Sequence, residues 1–216
     1  MRKITINLAA VAAFCIVVAS PALVSSSCAT PKTEQEDTTI IREDSGITAL
    51  KYSSPEVPAS IEFCGKTIDL SRFDRHERMD RELLAFTYMH STSLQMLKKA
   101  NRYFPIVEPI LKENGIPDDF KYLMVIESNM NPTARSSAGA AGLWQFMQGT
   151  GRDYGLEVNN NVDERYHIEK ATRAACRYLK DAYAKYKDWV AVAASYNAGQ
   201  ARIASQLAKQ DVDDRS

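Results

Sequence analysis

From Met79 to Phe104 the chain reads MDRELLAFTYMHSTSLQMLKKANRYF. Leu83, Leu84, Met89, Leu94 and Leu97 recur there at intervals that place them on one face of a helix. Pro105 opens a second segment, PIVEPILKENG, with Gly115 placed as its C-terminal cap. The next, IPDDFKYLMVIES, begins at Pro117; Asp118 is positioned to cap it, and Leu123, Val125 and Ile126 form its buried side. A Ser- and Gly-rich loop follows, then LWQFMQGTGRDYG, closed by Gly151 and Gly155. IEKATRAACRYLKDAYAKY is amphipathic throughout, DWVAVAASYNAG is compact and apolar and ends at Gly199, and QARIASQLAKQ starts one further helix. With no internal repeat and no alternation of strand and helix patterns, the prediction is an all-α fold.

Upstream the pattern changes. VPASIEFCGKTIDLS alternates only briefly, through Ile61, Phe63 and Ile68, and predicts a short extended arm over 61–79 ahead of a helical domain at 80–216. Residues 28–60 are polar, rich in Thr, Ser, Glu and Asp, and without sustained period, which predicts a disordered tether. Residues 1–27 carry Arg2 and Lys3, an apolar run from Leu8 to Val18 and then small residues, the layout of a secretory signal peptide. The apolar run is short for a membrane span, so export is expected over an uncleaved anchor. Ser25-Ser26-Ser27-Cys28 resembles a bacterial lipoprotein signal whose Cys28 becomes lipidated; cleavage after Ala22 is the alternative.

Composition adds little to this picture. A length of 216 residues fits one domain with an extension, and 45% hydrophobic content is ordinary for a globular chain. With 27 basic and 27 acidic side chains the formal charge is zero, which gives no support for nucleic-acid binding. Beyond Cys15 and Cys28, Cys64 and Cys176 could pair in an oxidising compartment or stay as two thiols, and the sequence leaves both open.

The chemistry concentrates between Ile126 and Met147, in IESNMNPTARSSAGAAGLWQFM. Glu127 ends a helix made of Leu123, Met124, Val125 and Ile126, at a core boundary. Desolvation there raises a carboxyl pKa and makes a usable general acid near neutral pH; the ordinary alternative is a solvated Glu at a helix end. Ser136, Ser137, Gly139 and Gly142 permit a close-fitting turn, and Trp144, Gln145 and Met147 would supply an apolar platform with an amide for a sugar ligand. Against that stands a core Trp and Met with a surface Gln. Tyr196 is likewise either ligand-facing or a buried Tyr on an apolar helix. His76, His90 and His167 show no zinc spacing, and neither a nucleophile elbow nor a phosphate-binding Gly loop is present, so neither metal nor cofactor is expected.

Glu127-Ser128, Asn131-Pro132, Ser136, Gly139-Ala140, Gly142-Leu143-Trp144-Gln145-Phe146-Met147 and Ala194-Ser195-Tyr196-Asn197-Ala198-Gly199 together resemble the soluble lytic transglycosylase family of the goose-lysozyme-like superfamily. YFPIVEPILKENGIPDDFKYL is similar to its membrane-bound type D branch, and NVDERYHIEKAT to the segment before the following helix. The resemblance covers about Asp80 to Ala208.

It implies a lysozyme-like helical domain that cleaves the β-1,4 bond between N-acetylmuramic acid and N-acetylglucosamine in peptidoglycan. Carried over, Glu127 is the catalytic acid/base and the product carries a 1,6-anhydro ring. Ser136, Gln145, Met147, Tyr196 and Asn197 bind substrate, with Tyr196 and Asn197 also orienting Glu127. Asp153 and Asp163 are expected to be helix-end or structural residues. The implied setting is the cell envelope, periplasmic and lipid-anchored through Cys28, with a monomer acting on glycan strands. The family's later Tyr-bearing helix has no counterpart before Ser216, so the domain is expected to be C-terminally truncated. A truncated glycan-binding relative and a hydrolysing lysozyme are the alternatives.

Overall fold

The computed structural model describes residues 55–199 and 203–205. The expected signal segment, Cys28 and all but the last residues of the tether lie outside them.

The predicted extended arm is a β-hairpin followed by a helix. Strands β1 (Ser60–Phe63) and β2 (Lys66–Asp69) pair antiparallel, with Ser60 opposite Asp69 and Phe63 opposite Lys66. Cys64 and Gly65 close the turn at φ 50° and 77°. Two left-handed residues match the twist of the flanking strands, which is why so short a segment pairs at all. Helix α1 (Phe73–Tyr88) then begins within the segment expected to be extended, earlier than the boundary placed at residue 80. Ile61, Leu70, Met79 and Leu83 form a small core under this corner, so burial against the hairpin supplies what the local pattern lacked.

The helix expected from Met79 to Phe104 is broken. Met89, at φ −78° and ψ 48°, ends α1 and precedes α2 (His90–Glu113), and the Ser93 hydroxyl takes the Phe86 carbonyl at 2.6 Å. The Ser91-Thr92-Ser93 run favours such side-chain-to-backbone bonds over helix continuation. The break resets the helical phase. Leu83 is buried, but Leu84, Met89 and Leu94 are exposed, and α2 buries Met96, Ala100, Phe104 and Val107 instead.

Pro105 does not start a segment; it lies inside α2, as does Pro109. Both are exposed, and the carbonyls they deprive of a partner belong to Asn101 and Pro105, which are exposed as well. Water can satisfy those carbonyls, so the continuous apolar face on the other side holds the helix together. Gly115 caps as expected: at φ 67° its N–H reaches Lys112 O at 3.1 Å, and the Ile116 N–H reaches Leu111 O at 3.0 Å. Asp118 does not cap. Residues Asp118–Tyr122 form a 3-10 turn without a side-chain cap, and Asp118 pairs with Lys121, which also meets Glu108 at 2.9 Å.

Helix α3 (Leu123–Ser128) ends in two left-handed residues, Asn129 and Met130. The segment expected as LWQFMQGTGRDYG is loop as far as Met147, and only Gln148–Asp153 is helical (α4). A 3-10 turn at Glu164–Tyr166 leads into α5 (Ile168–Tyr186), and α6 (Trp189–Ala198) ends at Gly199. Helix α5 packs between α2 and α6 through Ala171, Ala174, Ala175, Cys176, Leu179 and Ala182, whose small side chains permit close approach. The main core joins Phe63, Phe104, Leu111, Phe120, Leu123, Met124, Trp144, Leu179 and Val192. The all-α prediction holds, with the hairpin as an addition. Cys64 and Cys176 are free thiols, one in the hairpin turn and the other buried in α5. Among the described residues no helix is long and apolar enough to cross a membrane.

Candidate active site

Helix α3 is buried through Leu123, Met124, Val125 and Ser128, and this burial sets the position of Glu127 in its last turn. The Glu127 carboxyl is half-buried, and desolvation pushes its pKa from 4.5 up to about 7. Ser128 beside it anchors the neighbouring loop: its buried hydroxyl lies 2.9 Å from Met124 O and 3.0 Å from Leu143 O, within reach of both carbonyls. A single hydroxyl proton serves one carbonyl at a time or is shared between them.

The loop from Asn131 to Met147 is built of tight backbone turns. Antiparallel bridges join Arg135 to Ala141 and Ala141 to Phe146. Gly142 sits at φ 77°, where a Cβ would lie 1.9 Å from the Arg165 carbonyl oxygen, so no side chain fits. Ser136 closes the outer turn: its hydroxyl accepts the Ala140 N–H at 3.0 Å and keeps its own proton to donate. Gln145, at φ 48°, donates its amide nitrogen to Gly142 O at 2.8 Å and Ala134 O at 3.3 Å. That leaves the amide oxygen as the group it can offer a ligand.

Trp144 is not a platform. It is fully buried and its indole N–H meets Thr172 Oγ1 at 3.0 Å, because a ring this large with a satisfied donor stabilises more inside the core than in a groove. Met147, by contrast, is exposed just ahead of α4.

From α6, Tyr196 donates its hydroxyl to Trp144 O at 2.7 Å and packs against the rings of Phe146 and Tyr178 at 6.4 and 5.1 Å. Burial holds its phenol well above the ordinary value, and the Glu127 charge adds to the shift, so the two side chains share one electrostatic environment. Thus Ser128 of α3 and Tyr196 of α6 both bond to the 143–146 turn, and the charge of Glu127 in α3 acts on Tyr196. Ser136 and Met147 lie on the exposed side of the same loop and Asn197 is the exposed neighbour of Tyr196. Among the described residues, no hydrogen bond joins any of these three to Glu127.

What sequence reasoning underrated is Arg165. It is buried, and its guanidinium spans Gly139 O at 2.8 Å, Phe146 O at 3.0 Å and the Asp163 carboxylate at 2.7 and 2.9 Å. Its fork therefore fixes both ends of the loop that carries Gln145, and it holds the Asp163 carboxyl below the usual carboxylate range. The Asp-x-Arg spacing was visible, but only a folded loop shows which carbonyls it meets. Asp163 is a structural residue, as expected. Among the described residues no group of three or more His, Cys, Asp or Glu is placed to hold a metal ion.

Comparison with known proteins bears on this geometry. The chain is 31% identical over 128 residues to the membrane-bound lytic murein transglycosylase D of Escherichia coli K12, covering 59% of this chain and 27% of that protein. It is 33% identical over 93 residues to the peptidoglycan transglycosylase gp16 of Escherichia phage T7, covering 42% of this chain and 7% of that protein. The chain thus spans about a quarter of the first relative's length and far less of the second's. The model of the transglycosylase SLT domain matches residues 105–216, which include Glu127, the Arg165-braced loop and Tyr196. That match covers just over half of the chain, and the chain belongs to the transglycosylase SLT domain family.

Proposed function

We propose that this chain is a peptidoglycan lytic transglycosylase of the cell envelope, with Glu127 as its only acid and base. The observation that carries the reading is one half-buried carboxyl held near pKa 7 by desolvation, beside a buried phenol. Near neutral pH such a group is present in both protonation states, so it can serve as acid and then as base.

In the first step Glu127 donates its proton to the glycosidic oxygen, and the bond from muramyl C1 to that oxygen breaks. The substrate's own acetamido group supports the cationic centre, and the Asp163 carboxylate is already paired to Arg165. In the second step the Glu127 carboxylate takes the proton of the muramyl 6-hydroxyl, and O6 bonds to C1. The 1,6-anhydro ring closes without water, and Glu127 is protonated again for the next turnover. Ser136 and the Gln145 amide oxygen hydrogen-bond the sugar, Met147 lines the groove, and Tyr196 and Asn197 hold substrate and Glu127 in register. The Tyr196 phenol stays protonated throughout, so it donates a hydrogen bond and does not compete as a base. A periplasmic monomer, lipid-anchored at Cys28, fits the same reading.

The test incubates the chain from Cys28 onward with purified peptidoglycan and analyses released muropeptides by mass spectrometry, beside Glu127→Gln. Anhydro-ended products from the native sequence alone are expected. Reducing ends would identify a hydrolase instead. No release from a folded sample would leave a glycan-binding relative.

A further inference from the structure

The turn that carries Trp144 is held from three helices. Ser128 of α3 lies 3.0 Å from Leu143 O, and the Tyr196 hydroxyl of α6 donates to Trp144 O at 2.7 Å. The third hold comes through the side chain: the Trp144 indole N–H donates to Thr172 Oγ1 of α5 at 3.0 Å. Thr172 is wholly buried, so no substrate reaches it.

The Thr172 hydroxyl is already oriented. Its single proton goes to Ile168 O at 2.7 Å, which leaves only lone pairs to face the indole. Both partners are buried, and losing the Thr172 oxygen would strand the indole N–H away from water.

The bond bears on the backbone because of where Trp144 sits. Its Cα separates the Leu143 carbonyl from its own, so the indole anchor helps to set the direction of the Trp144 C=O. The next residue, Gln145, is at φ 48°, a left-handed conformation that a non-glycine residue keeps only where its surroundings pin it. The Trp144 carbonyl in turn sets Tyr196. Phe146 and Tyr178 pack against the Tyr196 ring at 6.4 and 5.1 Å, while the hydrogen bond to Trp144 O fixes where its hydroxyl points. The charge of Glu127 acts on that same hydroxyl.

We infer that Thr172 is a positioning residue of the proposed reaction: through the Trp144 indole it holds the carbonyl that aims the Tyr196 hydroxyl. The inference rests on the peptidoglycan-cleaving reading of Glu127 and Tyr196. It sets Thr172 apart from its buried neighbours Ala171, Ala174 and Ala175 in α5, whose side chains can only pack.

The test compares Thr172→Val, which keeps the shape and removes the oxygen, with Thr172→Ser, which keeps the oxygen and removes a methyl. Turnover of soluble peptidoglycan fragments is followed with the full chain. Thr172→Val is expected to lower kcat roughly tenfold with little change in KM, and Thr172→Ser to retain most of the native value. A packing role predicts the opposite order. In a Tyr196→Phe background the valine substitution should cost nothing further, because the group that it misplaces is gone. The chain has two tryptophans, so two indole N–H signals in an NMR spectrum report the bond directly. The Trp144 signal should move in the valine variant and stay in the serine variant. Trp144→Phe removes the same bond from the other side, and takes the place of Thr172→Val if that chain does not fold. Native kcat in a folded Thr172→Val chain, equal loss in both variants, or a further full loss on Tyr196→Phe would overturn the positioning role and leave the enzyme. Absence of turnover by the native sequence would instead remove the enzyme reading, and the positioning role with it.

Discussion

Glu127 is where a single residue's environment decides most. Its folded pKa of about 7 exceeds the ordinary 4.5, so the folded chain holds this proton more tightly than the unfolded one. That contribution to stability is fully present below about pH 4.5 and is lost as pH rises through about 7, a change on the order of 2–3 kcal/mol. Glu127→Gln places a neutral amide in the same pocket and removes the titration. Thermal melting of the two chains should therefore coincide near pH 5 and diverge by pH 8, with the Gln variant melting higher. Parallel curves across that range would show the carboxyl to be solvated. That Glu127 stands at a core boundary was legible from a lone carboxylate after an apolar run. How far its pKa moves was not, because desolvation depends on how the folded chain buries the carboxyl.

At the scale of elements, periodicity predicted helices better than punctuation predicted their ends. Helix α5 matches the expected segment from Ile168 to Tyr186, since its apolar and polar faces are cleanly divided. Helix α2 is the counter-case. Pro105 reads as a start signal, yet Met96, Ala100, Phe104, Val107 and Leu111 keep one buried face running past it. A proline in a helix interior forfeits one hydrogen bond and crowds the preceding turn. Pro105→Ala is therefore expected to stabilise the domain, by about 1 kcal/mol after allowing for the looser unfolded chain. Urea unfolding measures this, and a loss of stability would mean that Pro105 sets a bend the core requires. The loop from Asn131 to Met147 shows the opposite imbalance. Its glycines and serines announce a tight turn, but its shape is held by Ser128 just ahead of it and by Arg165 and Tyr196 farther along the chain.

In the whole molecule, the hairpin ahead of the family match is part of the fold rather than an appendage. Phe63 is fully buried in the main core, 6.1 Å from the Phe120 ring. The Cys64 N–H donates to Asp119 at 2.7 Å, and Lys66 pairs at 3.0 Å with Asp188, which also caps α6. Burial, with Asp119 and Asp188 close by, keeps the Cys64 thiol protonated. Phe63→Ala should cost about 3–5 kcal/mol, the range for emptying a buried aromatic site. Because Phe120 lies in the 3-10 turn that leads into α3, the loss should reach the helix that carries Glu127. Chemical denaturation gives the first quantity, and amide hydrogen exchange in α3 gives the second. An effect confined to the hairpin would make it dispensable.

The sequence by itself determined the all-α class, the extents of α5 and α6, the caps at Gly115 and Gly199 and the place of Glu127 at a core boundary. Those features are written in local period, cap chemistry and ordered motifs. Tertiary structure alone decided that Trp144 belongs to the core, that α2 runs through two prolines and that Arg165 braces the loop. Each depends on which distant groups exclude water from a surface or complete a hydrogen bond, and neither is encoded in neighbouring residues.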